Sequence, residues 1–158
     1  MGLRIGRTPD GRRLEVDRVV AADVDAAWEL LVDTERWPEW GPSVRAVDYD
    51  GESNDGGVIG PDASGRVRVG AVWVPFRVET FEDGTGDVHG SGGRERRRWT
   101  WRVAGVPATG HRVESLPDGR CRIVFEVPLV AAPYAAVCER ALSRIESLLT
   151  TADGRGNP

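Results

Sequence analysis

No run of about eighteen apolar residues occurs in this chain, and no basic-then-apolar leader opens it, so neither a membrane span nor a signal peptide is supported. The expectation is a cytoplasmic protein with no integral membrane segment. Cysteine is scarce: Cys121 and Cys138 fall in an expected strand and on an expected buried helix face, where each reads as a small hydrophobe rather than half of a disulfide. With two histidines and no close Cys/His spacing, nothing in the sequence calls for a metal, and no cofactor is expected. Lysine is missing altogether, all 21 cationic residues being arginine in a chain of net charge −4. The one basic cluster, Arg94 with Arg96 to Arg98, is short, is broken by Glu95 and reads as a solvated strand entrance, so nucleic acid is not an expected partner. No Ser–His–acid or Cys–His set, no inward pair of carboxylates and no phosphate-cradling glycine motif is legible.

What is present is a strong change of period. Leu14 to Val20 is a β-branched run and an expected strand. Asp23 can cap a helix in which Val24, Ala27, Trp28 and Leu31 share a face. A very short helical turn follows over residues 34–37, and Pro38, which disfavours helix at Trp37, is expected to end it in the rigid corner Trp37–Pro38–Glu39–Trp40–Gly41–Pro42. From Ser43 onward the period is two. Strands are expected over 43–49, 66–69, 74–81, 97–103, 109–116 and 121–127, with mobile loops over 50–64 and 82–93. Pro133–Leu149 then returns to helical spacing, with Tyr134, Val137, Cys138, Ala141, Ile145, Leu148 and Leu149 on one stripe. At 158 residues this is one domain, residues 1–158, with an ordered core of 14–149 and a flexible tail of 150–158. The order implies an α+β arrangement, an antiparallel sheet of about seven strands with its apolar face covered by helices.

That order resembles the START-like (SRPBCC) superfamily, in particular its polyketide cyclase/dehydrase and lipid-transport branch. The segments that carry the resemblance are Val24-x-x-Ala27–Trp28-x-Leu30–Leu31, the Trp37–Pro38–Glu39–Trp40-x-Pro42 corner, Pro75–Phe76-x-Val78 and Trp99-x-Trp101-x-Val103. The resemblance implies a helix-grip fold: a curved sheet around a long C-terminal helix, two short helices after the first strand, and a cavity for a small hydrophobic, aromatic, polyketide- or lipid-like ligand. Strand parity and the helix stripe name its expected walls as Val67, Val69, Phe76, Val78, Trp99, Trp101, His111, Val113, Ile123, Phe125 and Val127, completed by Trp40, Tyr134, Cys138 and Ala141. Inside such walls His111 can orient a ligand or act as acid and base, Tyr134 can offer its hydroxyl, and Arg18 can hold an acidic group. Three readings stay open at this point: a binder, a cyclase, aromatase or dehydratase using His111, and a filled-core domain acting through a partner surface. Oligomeric state is not readable.

Overall fold

A computed structural model describes residues 1–51, 57–84 and 94–153. The expected loop and tail residues 52–56, 85–93 and 154–158 lie outside the described residues. Its elements are β1 Gly2–Thr8, β2 Gly11–Val20, α1 Val24–Val32, α2 Trp37–Trp40, β3 Ala46–Tyr49, β4 Ser64–Val69, β5 Val72–Glu82, β6 Arg96–Val103, β7 Val106–Pro107, β8 Gly110–Ser115, β9 Cys121–Pro128, a 3₁₀ segment Leu129–Tyr134, and α3 Ala135–Asp153. The strands form one antiparallel sheet in the order β1-β2-β9-β8-β6-β5-β4-β3, with β7 turning back on β6. The architecture is the expected helix grip, with α3 packed on β2 and β9 and α1 on β8 and β9.

Two strands exceed the expected count. β7 is a two-residue return, and β1 lies ahead of the expected ordered core of 14–149, its apolar residues Leu3 and Ile5 exposed at the sheet edge. Its glycines have a steric role: a Cβ at Gly6 would sit 2.4 Å from the carboxyl carbon of Glu15, which leans across the neighbouring strand. At the other edge β3 is shorter than expected and begins at Ala46.

The tryptophan corner also differs. Trp37 to Trp40 is itself a short helix with Pro38 in its first turn, where a missing N–H costs nothing, rather than the point at which helix stops. Both indoles anchor it to α1, Trp37 Nε1 donating to the Leu31 carbonyl at 2.9 Å and Trp40 Nε1 to that of Leu30 at 3.1 Å. Asp23 caps α1 as expected, its carboxylate accepting from the Ala26 N–H at 2.8 Å. In α3 the buried stripe is Cys138, Ala141, Leu142, Ile145 and Leu149, and the α-helix starts two residues after Pro133, which belongs to the 3₁₀ segment. Cys121 and Cys138 are buried free thiols, each pushed up to about 12 by burial.

The convex face corrects the reading of the arginine cluster. Arg98, expected at a solvated strand entrance, is among the most deeply buried side chains. It donates from Nε and Nη2 to Glu126 at 3.0 and 2.7 Å, and from Nη2 to Asp10 at 2.6 Å. Arg112 bonds the same Glu126 carboxylate as well as Glu15 and Glu114. Four neighbouring strands thus contribute to one buried charge cluster, where each ion is matched by charge-assisted hydrogen bonds.

A candidate ligand cavity

Alternation along β6, β8 and β9 brings three aromatic residues side by side on the concave face. Trp99 pairs with His111 in register, and His111 with Phe125. The His111 ring stacks on Trp99 with centroids 4.0 Å apart and meets the Phe125 ring edge-on at 4.8 Å. Helix α2 lays two more rings over this row: Trp37 stacks on Trp99 at 5.4 Å, and Trp40 meets His111 at 5.9 Å. Trp101, two residues along β6, closes the group with its edge toward Trp37 at 5.2 Å.

Beside these rings lies a cavity of about 310 Å³, bounded by the aromatic row, by α2 and the segment after it, and by the first turns of α3. Its deep wall is buried: Trp37, Trp99, His111, Phe125, Cys138 and Ala141. Its outer wall carries Val69 and Tyr134, which are 41 % and 37 % exposed, and so marks the mouth. Among the described residues, neither a carboxylate nor a guanidinium lines it. The polar features are sparse and unusual. Trp99 Nε1, Trp101 Nε1 and His111 Nδ1 are all buried and have no hydrogen-bond partner among the described residues. Buried polar atoms are rarely left so, and all three belong to side chains of the cavity wall.

Of the expected wall, Trp40, Val67, Val69, Trp99, Trp101, His111, Phe125, Tyr134, Cys138 and Ala141 do border the cavity. Phe76, Val78, Val113, Ile123 and Val127 do not; they are buried in solid core. The reason is depth. Trp37 packs on Phe76 at 5.5 Å and takes its place at the surface of the cavity, and α1 covers β8 and β9 farther along, where Val113 and Ile123 lie. Parity assigns these residues to the right face but cannot tell which stretch of that face a helix will cover. Arg18 is engaged elsewhere, hydrogen-bonded to Glu146 on α3. Sequence reasoning missed Trp37, the Gly41–Val44 segment, Val103, the Pro107–Thr109 segment, Pro128, Ala131 and Val137. Of these, the turn residues carry no periodic signal, whereas Trp37 reads in the sequence only as part of a rigid corner.

Tyr134 shares a hydrogen bond between its hydroxyl and that of Ser43, which ties the 3₁₀ segment to the segment after α2 across the mouth. Its hydroxyl pKa is raised by burial, with the Ser43 bond opposing. The His111 imidazole is pushed down from 6.5 to about 3, burial being the cause. It is therefore neutral at any physiological pH. Below pH 6.5 the unfolded chain takes up a proton at this position that the folded chain refuses, so stability falls as pH drops through the window from 6.5 toward 3. At about pH 5 the loss is roughly 2 kcal/mol relative to neutral pH. Burial pushes the Glu15 carboxyl up, but Arg4 and Arg112 outweigh it and hold the group below its ordinary 4.5, so its own loss adds only below that value and leaves the stretch from pH 6.5 to about 4.5 to His111. Urea denaturation at both pH values should show the loss in the wild type and a flat response in His111→Gln.

The sequence matches the family described as polyketide cyclase/dehydrase and lipid transport over residues 12–150. No curated protein matches the chain. Among solved structures, a hypothetical protein of Helicobacter pylori superposes with a TM-score of 0.62 at 13% identity, covering 85% of this chain and 86% of its own. The di-domain ARO/CYC StfQ of the steffimycin biosynthetic pathway gives 0.61 at 12% identity, covering 90% of this chain and 46% of that one. A START superfamily protein from Mycobacterium smegmatis gives 0.54 at 13% identity, with 87% and 97% covered. At these identities the likeness is one of fold.

Proposed function

This chain belongs to the polyketide cyclase/dehydrase and lipid transport family, and with that as premise we propose that it binds a small, hydrophobic, aromatic ligand in the cavity between the sheet and α3. The observation that carries the reading is the apolar cavity with three buried, unpartnered polar atoms, Trp99 Nε1, Trp101 Nε1 and His111 Nδ1. Indole N–H groups only donate, so the ligand they suit is a flat ring system bearing carbonyl or hydroxyl oxygens. At about 310 Å³ the space is at the small end of ligand cavities, which run from roughly 300 to 1,000 Å³, and this favours a compact ring system over a two-chain lipid.

Binding is favoured over catalysis by the state of His111. A general acid or base works best with a pKa near the operating pH, and an imidazole near 3 holds no proton there to give and takes one only weakly. As a neutral ring it can still hydrogen-bond and orient a ligand. Four of the six tryptophans border the cavity, so a bound aromatic ligand should quench much of the intrinsic fluorescence. In a titration read this way, Trp101→Phe keeps the wall and removes one donor, and should weaken binding of a ring ketone by about three- to tenfold. His111→Gln should change affinity little. Equal affinity in Trp101→Phe and wild type would count against the donor assignment, and a pH-dependent turnover lost by two or more powers of ten in His111→Gln would favour the enzymatic reading instead.

A further inference from the structure

The end of the sheet that carries the cavity mouth also gathers exposed apolar side chains and unpaired arginines. Val72, Val106 and Val130 are 61%, 61% and 97% exposed. They sit on three separate tips, the β4–β5 turn, the β6–β7 turn and the 3₁₀ segment, and each adjoins a residue of the cavity wall. Val72 pairs with Val69, Val106 pairs with Val103, and Val130 precedes Ala131. At the same end of the sheet are four arginines with no carboxylate within ion-pair distance among the described residues: Arg7, Arg12, Arg45 and Arg68. Arg7 and Arg12 face each other in register near the β1–β2 turn, and the Arg45 N–H donates to the Arg68 carbonyl. Two like charges directly opposite on neighbouring strands are unfavourable unless something answers them. Of the carboxylates near this end, Asp10 is bound to Arg98 and Glu79 to Arg102, which leaves Glu139 in the second turn of α3. In a chain of net charge −4 this is a local excess of the opposite sign.

We propose that this end of the molecule docks on the surface of an anionic phospholipid bilayer, with the cavity mouth facing the membrane. Isolated apolar tips can enter the head-group layer one by one, while guanidinium groups set back from them bond lipid phosphates, often in pairs of parallel hydrogen bonds. An acidic protein would answer the arginines equally well. It would, however, need one contiguous packed patch, and the three valines stand on tips of different loops. The docking gives an apolar ligand, which partitions into lipid, a path to the cavity without crossing water. In that respect the inference rests on the ligand-binding reading above, although docking itself needs no cargo.

Co-sedimentation of the full chain with phosphatidylcholine vesicles, with and without phosphatidylglycerol, tests it. The wild type should pellet with the anionic vesicles and much less with the neutral ones, and about 0.5 M salt should release it. The pairs Val72→Asp with Val130→Asp, and Arg45→Glu with Arg68→Glu, should each lower the apparent partition by about tenfold or more. All four positions are exposed, so melting curves should stay unchanged; Val130→Asn, uncharged, should show a smaller loss of the same sign. Partition equal in the wild type and both paired variants overturns the proposal. So does failure to pellet with anionic vesicles while the protein is retained on immobilised polyglutamate, which would point to an acidic protein instead. Because the vesicles carry no ligand, failure here leaves the cavity reading standing, and failure of ligand titration leaves this result standing.

Discussion

Trp37→Ala should lower the unfolding free energy by about 3–5 kcal/mol, read as a fall in the urea midpoint with unchanged slope. The indole is 1% exposed and is packed against Trp99, Phe76 and Trp101 at centroid distances of 5.2–5.5 Å, so its removal takes a large buried area and opens a void beside an existing cavity. It also strips the Leu31 carbonyl of its donor. Trp37→Phe should recover most of the packing and retain a deficit of about 1 kcal/mol, the value of one such hydrogen bond. Trp40→Ala, whose ring makes the corresponding bond to Leu30, should cost on the order of 3 kcal/mol. A midpoint unmoved by Trp37→Ala would mean that α2 is not held to the sheet by this ring.

Glu126→Ala is the second large expected effect, again about 3–5 kcal/mol, through a different mechanism. Its carboxylate is 1% exposed and receives hydrogen bonds from Arg98 and Arg112, whose side chains are 2% and 5% exposed. Removing it leaves two buried guanidinium groups short of an anion, and the remaining Asp10, Glu15 and Glu114 each satisfy only part of what Glu126 did. Glu126→Gln keeps the shape and some of the bonding, so its cost should lie between that of the wild type and the alanine variant. Double-mutant cycles with Arg98→Met should show strong coupling, since the partners share a single site. Additive losses would show the cluster to be a set of independent surface pairs.

These two residues also mark the limits of what the sequence reveals. The alternation of Arg97 to Val103 places Trp99 and Trp101 on the concave face, and the same parity puts His111 and Phe125 there, because side-chain direction in a strand depends only on odd or even position. The helical stripe likewise places Cys138 and Ala141 on the wall. Parity fails on the other face. It assigns Arg98, Arg112 and Glu126 outward, which on average means water, yet the order β2-β9-β8-β6 sets their charges side by side and seals them. The pairing of β2 with β9 joins residues at opposite ends of the chain, and no local pattern announces it. The exclusion of Phe76 and Val113 from the cavity is equally non-local, since it follows from where α2 and α1 come to rest. β1 was missed because an edge strand with exposed Leu3 and Ile5 buries no face for a pattern to report.

The central claim, that the space between sheet and α3 receives a ligand, is tested most directly by filling it. Ala141 lies on the wall and is 3% exposed, so Ala141→Phe should project a ring into the cavity while leaving the rest of α3 in place. Fluorescence titration with 1-aminoanthracene, an apolar three-ring amine, should give saturable one-to-one binding to the wild type and affinity weaker by about tenfold or more in Ala141→Phe, with both proteins equally folded by circular dichroism. Equal affinity in the two, or no saturable binding to the wild type, would contradict the account.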